Sequence, residues 1–227
     1  MMKKLLAISF TLILNSHILA QPKADSLSVK FVATWNEMHF ELNKNYVSKN
    51  QDTLQLTSLK FYFSNLKIEF ENDTFYTDDK TILINFEDLR SVKIPLLNKG
   101  KKIKAFSFSI GVDSLSSVSG ALEGDLDPSK GMYWAWQSGY INMKMEGTSS
   151  SCKTRKNSFY FHIGGYLEPN YALRKVKLIP KSDKIEIEIN LATFFDGIKL
   201  SNTNSIMIPG KQAMELADLS VKMFICK

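Results

Sequence analysis

The chain has 227 residues, a formal net charge of +6 at pH 7, and a composition that is 44% hydrophobic and 11% aromatic. This length and hydrophobic content can bury a sizeable core, and they fit one β-rich domain better than two. The lysines are scattered along the chain, which argues for solvated strand faces and against a nucleic-acid-binding stripe.

Residues 1–20 have the features of a secretory signal peptide. Two lysines precede an apolar run from Leu5 to Leu14, and the segment ends at Ala20. We predict cleavage after Ala20, a mature domain at residues 21–227, and a periplasmic or secreted location. The residue immediately after the cleavage site is Gln21 and not a cysteine, so no bacterial lipid anchor is indicated. No other apolar run is long enough to span a bilayer.

Alternating apolar and polar residues predict a series of short strands in the mature chain. They are residues 29–35, 38–42, 53–57, 59–70, 81–86, 103–110, 132–136, 139–146, 157–163, 172–179, 184–191 and 220–226. A short helix at 211–219 and a helical turn or edge at 193–198 are the exceptions. We predict an all-β fold, an antiparallel sandwich or barrel-like single domain with little helix, in which 172–179 pairs with 184–191.

Within the strand at 59–70, the apolar positions change from odd to even numbers. Leu59, Phe61 and Phe63 are followed by Leu66, Ile68 and Phe70. A bulge near Ser64-Asn65 would let both sets face one core.

The stretch from residue 111 to residue 130 is polar and predicts a long loop, which often carries function. Asp125 and Asp127 in this loop would suit calcium, because carboxylates two positions apart can reach one hard cation. The EF-hand pattern is absent, since Ser occupies position 129 and the glycine falls at 131. Turn and capping roles are therefore favoured.

Two of the three tryptophans, Trp134 and Trp136, lie in the next stretch, where an extended chain would place both on one face. A core or edge-strand aromatic pair explains this pattern without any ligand. Alternatively, Tyr133, Trp134 and Trp136 form an exposed surface that docks a protein or a glycan.

The nearby Met143 and Met145 suggest copper(I), but they share an apolar face with Ile141, which favours core packing.

The mature chain contains two histidines, His39 and His162, each on the polar side of its predicted strand. Imidazole nitrogens suit copper, zinc or nickel, but neither histidine has a second one at i+2 or i+4. Any metal site must therefore be assembled across strands. A position facing solvent explains each histidine equally well.

Cys152 and Cys226 are the two cysteines, and an even number in an exported protein favours one disulfide. Closing this loop of roughly 75 residues would contribute about 4 kcal/mol of stability in the chain-entropy account. The competing interpretation is a pair of thiolate copper ligands.

Six sequence words stand out: Leu59-Lys-Phe-Tyr-Phe-Ser-Asn-Leu-Lys, Gly111-Val-Asp-Ser, Gly124-Asp-Leu-Asp-Pro, Gly131-Met-Tyr-Trp-Ala-Trp-Gln-Ser-Gly-Tyr-Ile-Asn, Met145-Glu-Gly and His162-Ile-Gly-Gly. Together they resemble the MbnP-like domain family of secreted, methanobactin-associated copper-binding proteins. The resemblance covers nearly the whole mature chain.

The resemblance implies copper as the cofactor, held by histidines and by a tryptophan that a partner diheme enzyme oxidises to kynurenine. By this resemblance His162 is the best-matched nitrogen ligand, and Trp134 or Trp136 is the candidate for oxidation. His39 is the second nitrogen ligand, assigned more weakly because the residues around it are less family-like. One related copper protein has a histidine two positions after its modified tryptophan, whereas residues 131–161 contain none.

No Gly-x-Ser-x-Gly, His-Glu-x-x-His or phosphate-binding glycine loop is present, so we predict a monomeric binding protein and not an enzyme. Two alternatives stay open. One is the metal-free interaction module described above, and the other is a structural domain with buried tryptophans and no ligand.

Overall fold

A computed structural model describes residues 26–97, 102–136, 139–181 and 185–227, and the predicted signal peptide lies outside them. The strands in these ranges are β1 (Ser26–Trp35), β2 (Met38–His39), β3 (Asn45–Val47), β4 (Thr53–Phe70), β5 (Phe75–Asp78), β6 (Ile82–Asn85), β7 (Lys93–Leu97), β8 (Ile103–Ile110), β9 (Tyr133–Trp134), β10 (Gly139–Ser149), β11 (Ser158–Gly164), β12 (Arg174–Leu178), β13 (Ile185–Asn190), β14 (Ser205–Ile206) and β15 (Phe224–Cys226). The helices are α1 (Ser114–Val118), α2 (Leu191–Asp196) and α3 (Lys211–Val221).

The strands form two sheets, which confirms the predicted all-β fold with little helix. The smaller sheet has the order β15-β13-β1-β2, with β7 also paired to β1. The larger sheet has the order β12-β8-β4-β10-β11-β14, and β3, β5, β6 and β9 pair with its members. Most neighbours are antiparallel, but β1 with β13 and β11 with β14 are parallel pairs.

The main core lies between the two sheets. In β1 the odd-numbered residues from Val29 to Trp35 are buried, and the Phe31 ring meets the rings of Phe61 and Phe63 edge to face at 5.4 and 5.5 Å. Ring contacts of this kind can form only if the inner faces of the sheets are packed together. The even-numbered residues of β1 therefore point away from the core.

The bulge predicted in β4 is present. Asn65 has a φ of 51°, and the register between β4 and β8 shifts between Ser64 and Lys67. Both apolar sets consequently belong to the main core: Leu59, Phe61, Phe63, Leu66, Ile68 and Phe70.

The predicted pairing of 172–179 with 184–191 is wrong. β12 pairs with β8 in the larger sheet, whereas β13 pairs with β1 and β15 in the smaller one. Alternation shows which side of a strand is buried, but it carries no information about which strand lies next to it.

A second hydrophobic cluster lies outside the sandwich, between the outward face of the larger sheet and the long loop at 111–136. We call it the outer cluster; its buried members are Tyr62, Leu83, Val112, Met132, Trp134, Tyr140 and Ile141. Two backbone N–H groups of the loop, one at its start and one near its middle, donate to side chains of β10. The backbone N–H of Val112 donates to Asn142 Oδ1 at 3.1 Å, and that of Leu122 donates to the Tyr140 hydroxyl at 2.9 Å.

The outer cluster explains one departure from the predicted pattern. The β10–β11 register shifts between Ile141 and Met143, so Ile141 faces the outer cluster while Met143 and Met145 enter the main core. Core packing of the two methionines is confirmed, but Ile141 does not share their face. A one-residue irregularity reverses the side to which a residue points.

The loop aspartates have structural roles, as predicted. Asp127 accepts a hydrogen bond from the Ser129 N–H at 2.7 Å and caps a single 3-10 turn. Asp125 accepts from the Leu83 N–H at 3.1 Å and pairs with Lys130.

Candidate functional site

His162 lies on the outward side of β11, where its imidazole is held by a carboxylate. Nε2 is 2.7 Å from Oε1 of Glu146, and Lys144 Nζ is 3.2 Å from the same oxygen. The two partners come from β10: Lys144 is opposite His162 in the register, and Glu146 is two positions further along, opposite Tyr160. The His162 hydrogen bond and the Lys144 charge outweigh burial and lower the pKa of Glu146.

Trp134 occupies the same outward face, next to His162. Its ring covers Gly164, where an added Cβ atom would lie 2.8 Å from ring carbons Cη2 and Cζ3. Gly164 follows His162 by two positions in β11, and side chains two apart in a strand point to the same side. The indole of Trp134 and the imidazole of His162 are therefore neighbours along one strand.

The two tryptophans are in contact but differ in exposure. The ring centroids of Trp134 and Trp136 are 6.0 Å apart with a 50° tilt, so the predicted shared surface exists. Trp134 is 6% exposed, however, and Trp136 is 64% exposed. Trp134 is the last residue of β9 and pairs with Gly139 of β10, whereas Trp136 lies in the turn that follows β9.

His39 lies on the opposite side of the molecule. It is exposed on β2 opposite Thr34, on the face of the smaller sheet that points away from the main core. Because the core separates the two outward faces, the structure does not bring His39 to His162. Among the residues that the structure describes, no three His, Cys, Asp or Glu side chains group in a way that could hold a metal ion.

The predicted disulfide is a further correction, because Cys152 and Cys226 are both free and buried. Cys152 Sγ lies 3.7 Å from the Leu200 carbonyl oxygen, while Cys226 is in β15 opposite Ile187. Burial and the nearby Asp52 raise the pKa of the Cys152 thiol to about 11. An even count of cysteines carries no information on the distance between them, and in the described ranges neither thiol belongs to a group of three or more side chains that could hold a metal ion.

Sequence reasoning missed Glu146 as a site residue, although it is in the Met-Glu-Gly word. It also missed Tyr160, whose ring is 6.3 Å from the imidazole of His162 and perpendicular to it. Part of this site could have been predicted from the sequence. Lys144 and Glu146 alternate with the buried methionines, so they had to face outward. The sequence did not show that β10 pairs with β11, and this pairing is what brings Glu146 to His162.

The fold and the site define a class: a two-sheet β-sandwich whose larger sheet carries, on its outer face, a carboxylate-bound histidine beside a tryptophan pair. The profile of the MbnP family matches residues 24–208, and the chain belongs to that family. No curated protein matches the sequence.

Among solved structures, MbnP from Methylosinus trichosporium is similar, with a TM-score of 0.61 and 14% sequence identity. The similarity covers 83% of this chain and 81% of that chain, and at this identity it supports the fold alone. In the described ranges, no helix has the length and apolar character needed to cross a membrane.

Proposed function

We propose that this chain is an exported, monomeric copper-binding protein that acts by binding and not by catalysis, with its copper site at His162. Membership of the MbnP family supports this proposal. The observation that carries it is the convergence of His162, Glu146 and Trp134 on one face of the larger sheet.

His162 fits the role of a copper ligand. A metal-bound histidine commonly donates its other ring N–H to a carboxylate, which fixes the orientation of the ring. Glu146 supplies such a partner to Nε2 at 2.7 Å, leaving Nδ1 as the nitrogen that would bind the ion. Imidazole nitrogen suits copper, but one imidazole is an incomplete site, so further donors are needed.

A tryptophan of the pair is the second donor that we propose. Oxidation to kynurenine by a diheme partner enzyme would give it an aromatic amine, which indole lacks. Trp134 is beside His162, whereas Trp136 is the ring that a partner enzyme can reach from solvent. His39 is outside the proposed site because it faces away from it.

Copper titration against a competing chelator tests the proposal, using the chain purified from its native host. We expect His162→Ala to weaken copper binding by at least about tenfold, because it removes a ligand and the group that orients Glu146. His39→Ala is the matched control and should bind like the unaltered protein. Equal affinity of the His162→Ala variant and the unaltered protein would contradict the proposal.

Peptide mass mapping of the same material tests the tryptophan donor. Conversion to kynurenine removes one carbon and adds one oxygen, so the peptide that contains residues 134 and 136 changes mass in a characteristic way. Fragmentation assigns the change to one of the two rings. An unaltered peptide, in protein that binds copper, would exclude the kynurenine donor.

One observation favours a second function, a metal-free interaction module. Trp136 is 64% exposed and its ring contacts that of Trp134, and Tyr160 is 37% exposed and its ring lies 6.3 Å from that of His162. Exposed aromatic residues are common at docking surfaces. A protein or glycan ligand bound without metal, lost in Trp136→Ala but retained in His162→Ala, would establish this function.

A further inference from the structure

We propose that a basic trough at the β12 side of the larger sheet binds an oxyanion of the phosphate class. Free phosphate and the headgroup of a phospholipid share this chemistry. The trough is separate from the proposed copper site, because β10 lies between its three strands, β12, β8 and β4, and the strand of His162.

The trough has a floor of small residues and walls of lysines. Its floor is β8, which contributes Ala105 and Ser107, and its walls are Lys175 and Lys177 of β12 and Lys67 of β4. Ser107 is opposite Lys177 on one side and opposite Lys67 on the other. These residues line a cavity of about 120 Å³, which suits one compact anion better than an extended ligand.

Alternation along β8 gives the floor its outward direction. Phe106 and Phe108 are buried in the main core, so Ser107 between them points to the other side of the sheet. Neighbouring strands are about 4.8 Å apart, which places the backbones of Lys67 and Lys177 about 10 Å apart across Ser107. Both lysine side chains are long enough to reach an ion held above the serine hydroxyl.

The positive charge of the walls is not neutralised by the part of the chain that the structure describes. Glu69 also lines the cavity, but its carboxylate is held by Lys104 at 2.7 Å, and Lys104 also reaches Asp73 at 3.1 Å. Within the described ranges, none of the three wall lysines forms an ion pair with a carboxylate. Like charges gathered on one face repel one another, so a bound anion would stabilise this arrangement.

The usual role of lysines on an edge strand does not account for the whole trough. Such lysines prevent pairing with another chain, which fits β12. Lys67, however, is on an interior strand, with β5 on one side and β8 on the other. Its ammonium group lies 4.2 Å from the centre of the Phe75 ring, so this wall is partly ordered before a ligand arrives and loses less freedom on binding.

The donors favour a dianion of the phosphate class. An ammonium group binds phosphate as a point charge, and Ser107 adds a hydroxyl donor at the floor. A phosphate monoester carries a charge of about −1.5 to −2 at pH 7, which three ammonium groups can balance. The lysines are scattered in the sequence, and only the pairing of β12, β8 and β4 gathers these three.

Titration of the chain with inorganic phosphate, followed by backbone amide chemical shifts, tests the inference. We expect saturable shifts at residues 105–109 and at the two lysines of β12. Lys175→Gln combined with Lys177→Gln should weaken phosphate binding by at least about tenfold, because two of the three charges are removed. Ser107→Val should weaken it less and leave the lysines in place.

Lys153→Gln combined with Lys199→Gln is the matched control. It changes the net charge by the same amount at two exposed positions, next to Cys152 and Leu200. The N–H of Leu200 donates to the residue that precedes β4, whereas the trough lies at the other end of this 18-residue strand. Screening is effective beyond about 10 Å at 0.1 M salt, so this variant should bind phosphate like the unaltered chain.

Phosphatidylcholine vesicles with and without phosphatidic acid distinguish the two sources of the anion. Binding to free phosphate alone supports the inference with a soluble ligand, and tighter binding to the vesicles with phosphatidic acid supports it with a lipid headgroup. Absence of binding to both, or equal phosphate binding by the two double variants, would overturn it. Binding of a polyglutamate peptide without binding of phosphate would also overturn it, in favour of an acidic protein partner.

Discussion

The two outward faces of the sandwich each carry one histidine, but within the described residues only the face of the larger sheet lies under a loop that packs a hydrophobic cluster against it. On the smaller sheet, His39 is exposed beside Thr34, and the surrounding charges form ion pairs such as Lys30 with Glu186. On the larger sheet, the loop at 111–136 packs the outer cluster against the strands and places Trp134 next to the strand of His162.

This difference shows that the surroundings of a histidine on the polar side of a strand depend on which other segment of the chain packs over that face of the sheet. Both histidines obey the same alternation. The imidazole of His162 is 10% exposed and held by Glu146, whereas no hydrogen bond from a described residue fixes the ring of His39. A fixed, partly desolvated ring is better prepared for binding, because less freedom is lost when a ligand arrives.

The largest expected effect comes from removing the indole that covers the larger sheet. Trp134 is 6% exposed, so Trp134→Ala should lower the free energy of unfolding by about 3–5 kcal/mol, through lost burial and the cavity that remains. His39→Ala, at an exposed position on the smaller sheet, should change this free energy by less than about 0.5 kcal/mol. Urea denaturation measures both.

A loss below about 1 kcal/mol in Trp134→Ala would mean that the outer cluster adds little to the sandwich. Hydrogen exchange also tests whether the outer cluster is an integral part of the fold or only a loop resting on the sheet. If the cluster is an integral part of the fold, protection falls in β4 and β10 together, and not only in the loop above them.

Gly164→Ala should have an intermediate effect by displacing the same ring without removing it. The added Cβ would lie 2.7 Å from the Tyr140 carbonyl oxygen as well as 2.8 Å from the indole. We expect the free energy of unfolding to fall by about 1–3 kcal/mol and the tryptophan fluorescence to shift as the ring moves toward solvent.

Gly120→Ala is a suitable control for this change, because nothing lies within 4 Å of its Cβ position and only its φ of +83° is unfavourable. This control should lower the free energy of unfolding by about 1 kcal/mol and leave the tryptophan fluorescence unchanged. An unshifted spectrum in Gly164→Ala would contradict the close contact between Gly164 and Trp134.

The smallest expected effect concerns the outward face of the smaller sheet and depends on pH. Burial raises the pKa of Glu188, but a hydrogen bond from Thr34 at 2.6 Å and an ion pair with Lys227 at 3.0 Å outweigh it, so the pKa is lowered from its ordinary value of 4.5. A lowered pKa in the folded state means that the ionised carboxylate adds stability above pH 4.5. This contribution is lost as the pH falls through the folded-state pKa.

Thr34→Val should therefore lower the free energy of unfolding by about 1.5 kcal/mol near neutral pH, and by less once Glu188 is protonated. Denaturation curves of the variant and the unaltered chain, measured from pH 7 down to acid, give the difference at each pH. A difference that stays constant over this range would show that the carboxylate is not the group involved.

Several local features could be predicted from the sequence. The change from odd to even apolar positions in β4 requires a bulge, and Asn65 forms it. The apolar neighbours of His162 in β11 predict a core face, and Phe161 is fully buried there. Asp127 caps a turn because its carboxylate can reach a backbone N–H two residues away.

Features that depend on residues distant in sequence could not be predicted in this way. The free Cys152 and Cys226 show that a count of two does not imply proximity. Ile141 faces the outer cluster only because β10 slips against β11 at that point. Ile206 lies opposite Phe161 through a two-residue parallel pairing that leaves almost no periodic signal.

The sequence alone determined the β class, the buried side of most strands and the family words around Trp134 and His162, because these depend on residues a few positions apart. Only the tertiary structure decided which strands are neighbours and which outward face is covered by the loop at 111–136. It therefore also decided that His162, and not His39, lies beside an indole and a carboxylate. These relations are set by packing between distant segments, which local alternation does not encode.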